Sequence, residues 1–176
     1  MKKMSDELSE NIVNYLQRLL PLFSSLLLLF FSYVPLDFLL FNNIRPAVAM
    51  VCVYFWMIHR PDLFNLVSVY LLGVVDDVIS NVPFGTNILT LLVLYVLISN
   101  LSRFLNGKPF IITWYGFAII SLVVFLTKWL VLSVYYGQFL PLSIVSFSFM
   151  VTAAAYPFIS LILAFVQNNL IADEEL

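Results

Sequence analysis

The chain has 176 residues, of which 62% are apolar and only 10% charged, with a formal net charge of −2 and a mean hydropathy of +1.03. A water-soluble domain is about half apolar and about a quarter charged, so this composition excludes one, and the slightly acidic balance excludes a basic nucleic-acid footprint. The prediction is an all-α polytopic membrane helix bundle of about six transmembrane helices, because stretches such as Leu26–Phe31 and Leu91–Ile98 are apolar all round whereas barrel strands alternate.

In chain order, residues 1–18 are expected to form a cytoplasmic N-terminal segment. Leu8, Ile12, Tyr15, Leu16 and Leu19 recur at helical spacing among polar neighbours, which fits an interfacial helix or a solvated extension of the first span. Its acids, Asp6, Glu7 and Glu10, argue against a cleavable signal peptide. A single transmembrane domain is expected over 19–169, followed by a short acidic cytoplasmic tail over 170–176. Span 1 is read over 19–40, with Pro21 in its tolerated first turn, Pro35 kinking its far part and Asp37 near its end. Span 2, over 46–58, is only about 13 residues long, marginal for a straight crossing. It borrows flanking residues, is shielded by the bundle, or re-enters; the crossing is preferred, since His59, Arg60, Pro61 and Asp62 then form a turn. Span 3 is read over 63–79, span 4 over 87–101, span 5 over 110–136 and span 6 over 142–166, the last with Pro157 and a small-residue face at Ala153, Ala154 and Ala155. With the N-terminus inside, Lys2, Lys3, Arg18, Arg60, Arg103 and Lys108 fall on the cytoplasmic side against Arg45 and Lys128 on the other, a positive-inside bias. Both termini are then cytoplasmic.

Residues 71–89 carry the feature that most needs explaining. Asp76 and Asp77 lie at the end of span 3, and a turn with Asn81, Pro83 and Gly85 leads to Asn87. A carboxylate in hydrocarbon costs several kcal/mol unless paired, hydrated or neutralised. The topology gathers Asp37, Arg45, Asp76, Asp77 and Lys128 at one depth, as a structural polar cluster. Lys128 either pairs with an aspartate or snorkels to the interface. Adjacent residues on a helix point about 100° apart, so the two acids face differently. Asp77 shares its face with Gly73, where missing bulk lets another backbone approach, and Asp76 lies nearer the surface. Asp77 either caps span 4 or binds a ligand or ion.

Enzyme chemistry finds no support. His59 is the only histidine and Cys52 the only cysteine, so no zinc set forms; Cys52 reads as a small core residue. No phosphate loop occurs. Neither catalytic residues, metal ligands nor a cofactor are expected. A proton-coupled carrier using Asp77 stays open, although no inverted repeat supports it.

Arg45-Pro46, Tyr54-Phe55-Trp56, His59-Arg60-Pro61 and Gly73-x-x-x-Asp77-x-x-x-x-x-Pro83-x-Gly85-x-Asn87 follow one another in order. Arg103, Lys108-Pro109-Phe110, Trp114 and Tyr156-Pro157 continue the set. This series resembles the MreD family, the bacterial rod-shape-determining membrane proteins, and their alphaproteobacterial branch in particular. The sequence departs from that pattern at Asn81, where the family often has glycine, and at Asp76, which adds a second acid. The resemblance implies a six-helix bundle similar to the substrate-binding membrane subunits of energy-coupling-factor transporters. It implies a non-enzymatic scaffold of the cell-elongation machinery in the bacterial inner membrane, acting in cell shape and lateral peptidoglycan synthesis. Membrane lipid and MreC are the expected partners, with MreB, RodA and the transpeptidase that works with RodA further ones and no nucleic acid. The alternative, by fold analogy, is a small-molecule-binding membrane subunit of a transporter.

Overall fold

Proline and glycine punctuate the apolar sequence, and the helices follow that punctuation. The computed structural model describes residues 19–33 and 45–170. Six helices occupy them: α1 Leu19–Tyr33, α2 Val48–His59, α3 Leu66–Ile79, α4 Thr86–Leu105, α5 Phe110–Tyr136 and α6 Leu142–Leu170. Residues 1–18, Asp37 and the tail from 171 lie outside the described residues, so the readings made for them, the far part of span 1 included, do too.

α4, α5 and α6 are long and apolar enough to cross a membrane. α1 and α2 are shorter apolar helices, and α3 has 14 residues. α5 has the bounds predicted for span 5. α4 starts one residue earlier than expected and continues four residues further, because Ser102 and Arg103 extend the helix until Asn106 and Gly107, the latter at φ +73°, end it. α6 likewise runs beyond Val166 through Gln167, Asn168 and Asn169.

α2 departs most from the expectation of a crossing. Eleven of its 12 residues are buried, and at 1.5 Å per residue it is about 18 Å long, well short of a hydrocarbon core of about 30 Å. A helix that is apolar on every face belongs inside other elements, and α2 packs against α3, α4 and α6. Of the readings open for this stretch, shielding by the bundle is what the helix displays. Tyr54 centres its packing: edge-on contacts join it to Phe117 and Tyr156 at 5.1 and 5.7 Å between ring centroids, and its hydroxyl donates to the Thr113 carbonyl at 2.8 Å. Trp56 is fully buried, and its indole N–H has no partner among the described residues.

α3 packs along α4, and α4 along α5. Gly73 sets the first of these contacts, since a Cβ there would lie 2.9 Å from the Ile88 Cα. Large apolar side chains such as Phe23, Val96, Ile119 and Phe158 point outward, a surface suited to lipid and unfavourable in water.

Candidate functional site: the polar corner at the start of α4

The chain turns from α3 to α4 through two left-handed residues, Asn81 at φ +55° and Gly85 at φ +97°. Asparagine tolerates this conformation because its short amide bonds locally; at Gly85 the absence of a Cβ removes the clash. Gly85 is the N-cap residue of α4 and has no side chain to close it. Asp77 does so from the preceding helix. Its Oδ2 accepts from the Gly85 N–H at 2.8 Å and the Ile88 N–H at 3.3 Å, and its Oδ1 accepts from the Asn87 N–H at 2.8 Å. Only 4% of Asp77 is exposed, so its charge is met by three N–H groups and the positive end of the α4 dipole. The Thr86 hydroxyl completes the turn by donating to the Pro83 carbonyl at 2.7 Å.

Asn87 extends the corner into a network. Its amide nitrogen donates to Ser80 Oγ at 2.8 Å, and its amide oxygen accepts from Lys128 Nζ on α5 at 2.7 Å. Of the two readings open for Lys128, pairing with an aspartate or snorkelling to the interface, neither describes this contact: the lysine bonds an amide. Asp77 is engaged by backbone N–H groups on both oxygens, and Asp76 Oδ1 accepts from the Tyr33 hydroxyl at 3.0 Å. Arg45 lies over the Tyr33 ring, 5.1 Å from its centroid, a cation–π contact.

Arg45, Asp76 and Lys128 line one cavity of about 210 Å³, together with Tyr33, Phe125, Trp129 and the first residues of α2 and α6. Asp37 aside, which lies outside the described residues, the structure thus divides the predicted cluster and joins one part of it to the predicted turn. Asp77, Gly73, Asn81, Pro83, Gly85 and Asn87 build the corner, whereas Arg45, Asp76 and Lys128 border the cavity beside it. Sequence reasoning missed Tyr33, Trp129 and the acceptor role of Asn87. Tyr33 carried a signal, a hydroxyl in the far half of span 1, on the side of the bundle where Asp76 lies. Among the described residues no group of three or more His, Cys, Asp or Glu side chains could hold a metal ion.

A second cavity of about 190 Å³ opens at the other end of the bundle, bordered by His59, Lys108, Phe110 and Tyr156. The His59 ring stacks on Phe55, 4.1 Å between centroids, and its Nδ1 bonds the Phe55 carbonyl at 2.9 Å.

No family model matches the chain, and no curated protein or solved structure does either.

Proposed function

We propose that the protein is a non-enzymatic membrane scaffold of the cell-elongation machinery, acting with MreC in cell shape and lateral peptidoglycan synthesis, in a bacterial inner membrane with both termini cytoplasmic. The observation that carries this reading is where the residues of the MreD resemblance lie. Gly73, Asp77, Pro83, Gly85 and Asn87 make the α3–α4 corner. Tyr54, Trp114 and Tyr156 lock the centre of the bundle. These are architectural positions, and residues spent on architecture suit a protein whose product is a shaped surface for partner helices. Such partners dock in lipid through packing and small-residue faces. The tagged protein should copurify with MreC from detergent-solubilised membranes, and its depletion should round rod-shaped cells. Cells that keep their rods on depletion, with no MreC in the eluate, would overturn the reading.

A second reading, a small-molecule-binding transporter subunit, draws on the cavity at Arg45, Asp76 and Lys128. It predicts stoichiometric binding of a water-soluble vitamin by the purified protein, which the scaffold reading does not.

A further inference from the structure

We infer that the cavity beside the polar corner binds the head group of a phosphodiester lipid of net negative charge, in preference to a zwitterionic one, with Arg45 and Lys128 as its cationic contacts. The inference is independent of the scaffold reading, because a lipid can occupy this cavity whatever the protein assembles with.

Charge comes first. Among the described residues two cations, Arg45 and Lys128, border the space with one carboxylate, Asp76, and Asp76 Oδ1 already takes the Tyr33 hydroxyl. Asp77, an acid in the corner beside it, is engaged by three backbone N–H groups of the turn and α4. Lys128 spends one hydrogen bond on Asn87, and an ammonium has three to give.

The start of α2 adds to this. Ala47 and Val48 border the same cavity; Ala47 provides no side-chain cap and the first turn holds no acid. The positive end of that helix dipole borders the space where the two cations sit, with the Ala47 N–H donating to Thr152 Oγ1 at 3.0 Å and the Val48 N–H to the Pro46 carbonyl at 2.9 Å. Alone it would mean little; beside Arg45 and Lys128 it reinforces the preference for an anion.

The walls choose between a soluble anion and an amphiphile. Phe125, Trp129 and Ile144 form much of the lining, and a phosphate ion gains nothing from them, whereas the glycerol and first acyl carbons of a lipid do. The space of about 210 Å³ suits a head group and is too small for a whole lipid. The chains would then run along the apolar outer faces of α5 and α6.

The test uses the full-length purified protein and native mass spectrometry, with phosphatidylglycerol and phosphatidylcholine of identical acyl chains as probes. Wild type should retain phosphatidylglycerol over phosphatidylcholine by about fivefold, the order of a single charge-assisted contact. Arg45→Gln, at an exposed position, should reduce this preference toward parity, Lys128 remaining, with no more than a small fall in the thermal midpoint from the lost contact with Tyr33. Ile144→Trp, which fills the cavity, should lower phosphatidylglycerol retention selectively. Asp76→Asn, by removing the opposing carboxylate, should raise it. Equal retention by wild type, or a preference unchanged in both Arg45→Gln and Ile144→Trp, would overturn the proposal. So would displacement of bound phosphatidylglycerol by millimolar glycerol 3-phosphate, which would assign the site to soluble anions. Each of these failures leaves copurification with MreC untouched, so the two readings fall separately.

Discussion

Asp77 shows how one residue reconciles a buried charge with an apolar surrounding. Its oxygens accept from Gly85, Asn87 and Ile88, so the carboxylate replaces water at the α4 N-terminus and the helix dipole offsets its charge. Asp77→Ala leaves those N–H groups without their acceptor and should cost about 2–3 kcal/mol, read as a lower thermal midpoint and folded yield in detergent. Asp77→Asn keeps one acceptor oxygen but turns an amide NH2 toward backbone donors, so its loss should be intermediate. An Asp77→Asn protein of full stability that had lost a proton-coupled transport activity would instead favour the carrier reading of this acid.

The residue scale also shows where sequence reasoning stops. That Asp77 faces inward and Asp76 differently follows from helical geometry alone, and the turn at Asn81 and Gly85 follows from which residues accept positive φ. The acceptor that Lys128 chooses does not follow. It depends on Asn87 sitting at the first turn of α4 within 2.7 Å of Lys128 Nζ on α5, a fact that exists only once the helices have met.

Among the elements, α6 is the one that a proline should have damaged most. Pro157 has no N–H, so the carbonyl one turn earlier, Ala153, loses its helical donor. Trp114 on α5 supplies a replacement: its Nε1 donates to the Ala153 carbonyl at 3.1 Å. The proline that weakens α6 internally therefore ties it to α5. Trp114→Phe should cost about 1 kcal/mol beyond its packing loss, and the cost should shrink in a Pro157→Ala background, where residue 157 regains the N–H that serves Ala153. A double-mutant cycle on thermal stability reads this coupling; additive effects would contradict it. The pairing of α3 with α4 is similarly local. Gly73→Ala places a methyl group 2.9 Å from the Ile88 Cα, backbone that cannot rotate away, and should destabilise by about 1–3 kcal/mol, seen in the same melting assay.

Element limits were legible where proline and glycine stop a helix, as with Pro109 before α5 and Gly137, at φ +64°, after it. They were less legible where polar residues simply continue one, as at Ser102 and Gln167. The cross-helix bond of Trp114 could not be read, because an indole near a helix end fits an interfacial belt equally well.

On the scale of the whole molecule, the short α2 governs the architecture. It is enclosed by longer neighbours, fills the core with Tyr54, Phe55 and Trp56, and its first residues border the cavity at Arg45 and Lys128. Composition foretold a helical, lipid-compatible molecule, and three helices have the length and hydropathy to span a membrane. It could not foretell that a stretch of 12 residues would serve as the core, since an all-apolar helix reads alike whether lipid or protein surrounds it.

The outer faces of α1, α4, α5 and α6 remain available to partners, with Leu27, Val96, Leu122 and Phe158 exposed on them. Photo-crosslinking from these positions in living cells tests the scaffold account most directly. The account predicts adducts to MreC from neighbouring positions on one face, while positions on the opposite face and buried Leu94 give none. Crosslinks to lipid alone from every exposed position, in cells where MreC is present at normal levels, would contradict it.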